Sequence, residues 1–145
     1  MTPSNPQDFE IVPYAGIGPL RFGATRAEVR ETLQVPVETF QKTPSSEALT
    51  DAFDDLGIHV YYDSADRCEA VELGGAHAAP SFEHRMLLRM PREEARSWLV
   101  ERDPELRVSL ADLTSPTFGF ALYTESSEPE ARVKSVFVFR RGYYD

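Results

Sequence analysis

Apolar and polar positions follow two rhythms along the chain, and each rhythm occurs twice. In TRAEVRETL, residues 25–33, Val29 and Leu33 lie four apart on one helix face and leave Arg26, Arg30 and Glu31 toward water. Thr25 and Glu28 stand in the capping-box relation, and Val35 and Pro36 end the predicted helix after about three turns. From Leu56 the period becomes two, with Ile58, Val60 and Tyr62 on one side and His59 and Tyr61 on the other. After the turn DSADR, Cys68, Ala70 and Glu72 alternate with Glu69, Val71 and Leu73, which predicts an antiparallel hairpin. The order then recurs. PREEARSWL places Pro91 at a predicted N1 position, acids in the first turn and Ala95, Trp98 and Leu99 on a buried side. Strand-like runs follow at 107–110, 117–124 and 131–140, with the acidic loop ESSEPE before the last. Residues 38–55 show no single period beyond a strand-like start and a loop after Pro44. Residues 1–8 read as a frayed end.

The two halves overlay. A shift of 66 sets residues 25–33 on 91–99, matching Arg26 with Arg92, Glu28 with Glu94, Arg30 with Arg96 and Leu33 with Leu99. A shift of 62 matches Gly57 with Gly119 and Tyr61 with Tyr123, and a shift of 65 matches Arg67 with Arg132 and Val71 with Val136. The predicted class is therefore α+β, a tandem helix-plus-antiparallel-hairpin repeat. Its strands form one or two small sheets, with the helices packed on one face. Residues 1–80 hold the first unit and 81–145 the second. A lone hairpin cannot bury its apolar face, so the units are expected to pair, with FVFR in a central strand.

The phrase GPLRFGATRAEVRETL, residues 18–33, resembles the helix-opening motif of the small outer-membrane assembly lipoprotein family and its soluble relatives. The matching residues are Leu20, Phe22, Gly23, Thr25, Glu28, Val29 and Leu33. The resemblance implies a helix-plus-meander module, here in two copies. The lipobox cysteine and signal of that family are not found, and the second helix opens with Met90-Pro91 in place of a Gly-x-Thr phrase. In size, charge and two-copy architecture the chain also resembles immunity proteins of bacterial polymorphic toxin systems.

Charge narrows the partners. The 145 residues carry 15 Lys+Arg against 24 Asp+Glu, a formal net charge of -9. That disfavours nucleic acid and anionic membrane surfaces and favours a basic protein. No apolar run of 18 residues exists, and a single cysteine excludes an intrachain disulfide framework. The expected location is cytoplasmic.

Catalytic patterns are sparse. His59 alternates with strand residues, while His77 and His84 have no standard metal-ligand spacing. Cys68 reads as a small packed side chain. No nucleophile elbow, phosphate loop or zinc-protease motif occurs. No cofactor, metal or catalytic residue is expected. Acids at Asp51, Asp54 and Asp55, at Asp63 and Asp66, and at Glu125 and Glu128 are expected to form a negative rim beside Tyr61 and Tyr123. Tyrosine beside acids is the composition of a protein interface, so these nine residues are the expected partner-binding set. The expected function is an acidic binding module, with a toxin-neutralising immunity protein that occludes an active site as its concrete form. The alternatives are a small hydrolase-like enzyme using a histidine–carboxylate pair and a structural assembly protein, including a homodimer joined through sheet edges.

Overall fold

The computed structural model describes residues 9–46 and 48–144; the frayed end expected at residues 1–8 lies outside them. Three two-residue strands open the chain, β1 (Ile11–Val12), β2 (Gly16–Ile17) and β3 (Leu20–Arg21), paired in that order. Helix α1 (Arg26–Leu33) follows, with the full capping box: the Thr25 hydroxyl accepts from the Glu28 amide at 3.2 Å, and the Glu28 carboxylate accepts from the Thr25 amide at 2.8 Å. The helix is shorter than the three turns expected, because Gln34 turns left-handed (φ 51°) before Pro36 is reached. Eight residues are too few for a stable isolated helix, so burial of Val29 and Leu33 against the sheet holds it.

Next come β4 (Glu38–Phe40), β5 (Thr50–Phe53), β6 (Ile58–Tyr62) and β7 (Cys68–Gly74). A short hairpin, β8 (Ser81–Phe82) with β9 (Arg85–Met86), leads into α2 (Arg92–Arg102). Pro91 is the N-cap of α2 rather than its first helical residue, and no side chain caps it. The chain ends with β10 (Arg107–Val108), β11 (Asp112–Ser115), β12 (Phe120–Thr124) and β13 (Val133–Phe139).

The fold is α+β, with two helices and antiparallel sheets among the described residues. The small hairpin sheets expected from sequence are replaced by one eight-stranded sheet in the order β10-β11-β12-β13-β7-β6-β5-β4. Each helix precedes a four-stranded antiparallel run, and the runs meet where β7 pairs with β13. Ala70 faces Phe139, Val71 faces Val138, Glu72 faces Phe137, and Ser135 faces Gly74. With Ser135 overlaid on Ala70, this register is symmetric about the Glu72–Phe137 pair. The strand FVFR is central, as expected.

The halves share backbone detail. One residue is extra in β7 between the pairs Tyr61–Ala70 and Tyr62–Cys68, and one in β13 between Tyr123–Ser135 and Thr124–Val133. Thr25 bridges to Arg67, and Pro91 to Arg132. The Arg67 guanidinium donates to the Gly23 carbonyl at 2.8 Å, and that of Arg132 to the Arg89 carbonyl at 2.9 Å.

The sheet has two unlike faces. Val60, Val71, Leu73, Phe120, Leu122, Val136 and Val138 share one core with Val29, Leu33, Ala95, Trp98 and Leu99 of the helices. Tyr61, Ala70, Ala121, Phe137 and Phe139 form a second cluster on the reverse face. The bulge corrects the position of Cys68. Strict alternation puts it with Ala70, whereas the extra Glu69 returns it to the helix-side core. There burial pushes its thiol up to about 12. The unreadable stretch 38–55 contains β4 and β5 joined by residues 41–49.

Candidate functional site

Asp51 is the centre of a buried network and not part of a rim. Its carboxylate is 0% exposed and accepts from Arg26 at 2.8 Å, from Arg30 at 2.7 and 2.9 Å, and from the Tyr62 hydroxyl at 2.9 Å. Arg26 also grips Asp66 at 2.7 and 2.9 Å, and that bond holds the Asp66 carboxyl below its usual range. The guanidinium of Arg26 lies 4.0 Å from the Tyr62 ring centre. Burial, followed by the nearby Asp51 charge, pushes the Tyr62 phenol well up. These groups tie α1 to β5 and β6.

The remaining acids split between the two ends of the sheet. Asp54 and Asp55 are exposed in the β5–β6 turn, and Glu125 and Glu128 are exposed in the β12–β13 loop at the same end. Asp63 and Asp66 lie at the opposite end, in the β6–β7 turn. Asp63 stiffens that turn by accepting from the Ala65 and Arg67 amides at 2.9 and 3.0 Å, and it pairs with Arg140 at 3.2 Å. The single acidic rim is therefore two separate groups.

Tyr61 and Tyr123 do share the face that the helices leave free, on either side of the Glu72–Phe137 pair. Tyr61 is nevertheless buried, and Tyr123 is half-buried. The tail is pinned over them: Tyr143 packs 5.4 Å from Phe137 and 6.1 Å from Phe139, and Tyr144 lies 5.1 Å from Phe139. Tyr14 reaches the same face from the β1–β2 turn, 6.2 Å from Phe139, and its hydroxyl donates to the Pro116 carbonyl. The Tyr61 hydroxyl donates to Glu72 at 2.9 Å, and burial, followed by that carboxylate's charge, pushes its phenol well up.

A lysine completes this surface. Lys42, from the loop between β4 and β5, places its ammonium 4.3 Å from the Tyr61 ring centre, 5.7 Å from Phe137 and 5.9 Å from Tyr143. It also donates to the Tyr143 hydroxyl at 3.2 Å. Two clefts flank it, one of about 360 Å³ with Asp63, Glu69 and Arg140, and one of about 220 Å³ with Glu72, Tyr123 and Tyr144. Burial pushes the Glu69 carboxyl up, against the opposing pull of Arg140. Sequence reasoning missed Lys42 because it lies in the stretch without a period. It missed Glu72 because a half-buried strand carboxylate carries no motif.

His59 sits opposite Glu72 across β6 and β7, beside Ser135 in a depression of about 260 Å³. Its ring lies edge-on to Phe40 at 5.3 Å. His77 and His84 are exposed elsewhere. Among the described residues, no three His, Cys, Asp or Glu side chains group to hold a metal, and no helix is long and apolar enough to cross a membrane. No protein-family model, curated protein or solved structure matches the chain.

Proposed function

We propose that the chain is a non-catalytic binding module that acts in the cytoplasm on a basic protein. In its most concrete form it is an immunity protein that covers the active site of a toxin. The helix-free face of the sheet carries the reading. Tyrosines and phenylalanines are gathered there, with Glu72 among them and Glu69 in the adjoining cleft, on a chain of net charge -9. Tyrosine supplies contact area at small entropic cost, while acidic ends steer a basic partner into place. In the same reading the chain is a tandem repeat of two helix-plus-meander units, as its resemblance to the assembly lipoprotein family implies. The equivalent bulges and the symmetric β7–β13 register support that view.

The test is to mix the protein with a toxin encoded beside it. A complex at micromolar concentration is expected. Asp54→Lys with Asp55→Lys, both on an exposed turn, is expected to weaken it about tenfold while leaving thermal unfolding nearly unchanged. Absence of any complex removes the immunity reading. A second reading, a hydrolase-like enzyme, is favoured by the cross-strand pair His59–Glu72 beside Ser135. It requires ester hydrolysis that disappears in His59→Ala.

A further inference from the structure

We propose that the ring cluster of Tyr61, Phe137 and Tyr143 is a receptor for a lysine side chain of the partner protein, and that Lys42 occupies it as a built-in competitor. The inference rests on the binding role proposed for this face and names the chemistry it recognises. Three aromatic rings within 6 Å of one ammonium make a cation–π cage, and the Tyr143 hydroxyl adds a hydrogen-bond acceptor. The ring closest to the ammonium, Tyr61, is itself fixed by its bond to Glu72, so that wall of the cage is set before anything enters.

The occupant comes from a loop that the other half lacks. Residues 41–49 join β4 to β5, whereas only residues 109–111 join β10 to β11. Within the loop, Gln41 donates to the Pro44 carbonyl at 3.2 Å and Thr43 bonds to Ser46, both local contacts. Among the described residues, the Lys42 ammonium is the side-chain group of segment 41–46 that hydrogen-bonds to the rest of the molecule. Displacing that ammonium frees the loop tip, residues 41–46, while Arg26 still holds the Leu49 carbonyl at 2.8 Å, and opens the cage between the two flanking clefts. An extended basic segment then has room on both sides, with Glu69 on one and Glu72 on the other. A tethered lysine competes at high effective concentration, so only a partner that makes further contacts displaces it. The cage thereby discriminates against stray amines.

The probe is tetralysine, titrated by the NMR shifts of the tyrosine rings and compared with n-butylammonium. Lys42→Ala is expected to bind tetralysine about tenfold more tightly than the unaltered protein, because the tethered competitor is gone. Lys42→Ala with Tyr143→Ala, which removes a ring and no charge, is expected to lose about fivefold of that affinity. Tyr143 is half-buried in the tail, and a native far-UV spectrum and cooperative unfolding establish that the double variant is folded. Equal binding by the unaltered protein and Lys42→Ala, indifference to Tyr143→Ala, or butylammonium binding as tightly as tetralysine each overturns the proposal. Toxin capture separates the two readings. A toxin complex unaffected by Lys42→Ala and Tyr143→Ala overturns the cage and keeps the binding role. Ring-dependent tetralysine binding with no toxin complex keeps the cage and removes the immunity role.

Discussion

The halves on either side of the Glu72–Phe137 pair use similar backbone devices and different chemistry. Both enter their helix through a left-handed residue, Gly23 at φ +91° and Arg89 at φ +70°, and both place an arginine at the first helical position. Arg26 finds the buried carboxylate of Asp51, while Arg92 donates to the Thr124 hydroxyl at 3.0 Å and to the Ser109 carbonyl. In sheet register the position of Asp51 corresponds to Leu113, which is fully buried. One frame thus accepts either a charged hub or an apolar plug, with the arginine at each helix start finding its own acceptors. The open face shows the same principle. Tyr61 and Tyr123 occupy matched sites, yet only the first half has a loop long enough to lay a lysine over its tyrosine.

The largest effect should come from placing the second half's residue in the first. Asp51→Leu leaves Arg26, Arg30 and Tyr62 short of their shared acceptor and is expected to cost about 3 kcal/mol in urea unfolding. Adding Tyr62→Phe removes one orphaned hydroxyl and should recover about 1 kcal/mol. If Asp51→Leu proves neutral, the carboxylate is not what secures α1.

The paired glycines should respond unequally. Both have positive φ, +68° at Gly57 and +76° at Gly119, so alanine is strained at each. At Gly57 a Cβ would lie 2.1 Å from the Gly74 carbonyl oxygen in a sheet strand, while at Gly119 it would meet the Tyr14 ring at 2.9 Å. Backbone in a sheet yields less than a side chain in the β1–β2 turn. Gly57→Ala should therefore lower stability by about 3 kcal/mol and Gly119→Ala by about 2 kcal/mol, measured by thermal unfolding.

Asp103 gives the second half its own buried carboxylate. It accepts from the Ser115 and Thr117 hydroxyls at 2.6 and 2.7 Å and from the Glu105 and Thr117 amides. Burial alone raises this carboxyl, but those four donors outweigh it and hold it below the usual carboxylate range. Because the folded value is depressed, the stabilisation is complete above the unfolded value of about 3.9 and fades as pH falls toward the folded value. Asp103→Asn should cost about 2 kcal/mol at neutral pH, and the gap should close in acid. Unfolding curves from pH 7 to pH 2 would show it; a gap independent of pH removes the role of the charge.

The smallest effect compares the helix starts. Thr25→Ala deletes a capping box and should cost about 1 kcal/mol in urea unfolding. Pro91 makes no side-chain cap bond, so Pro91→Ala should cost less.

Several of these features were legible in the chain. The capping box and the helix positions of Val29, Leu33, Trp98 and Leu99 follow from local spacing, the central place of FVFR follows from the expected pairing of the two halves, and the structure shows each. The strand-like start of residues 38–55 is β4, but β5 and β11 were not legible, because near-edge strands of four residues carry too short a period to register. Cys68 was assigned to the wrong face because a single bulged residue reverses the alternation. Asp51 passed for a surface acid, since its neighbours Asp54 and Asp55 are surface acids and its two arginines lie 21 and 25 positions earlier.

What the sequence by itself determined is the net charge and what acts within a few residues: caps, turns and apolar stripes. Only the tertiary structure decided which strand edges join, which carboxylates lose their water, and where one lysine settles among three rings. The physical reason is range. Helix caps and side-chain alternation act between near neighbours in the chain, whereas desolvation and cation–π contacts depend on groups that the sheet brings together from distant positions.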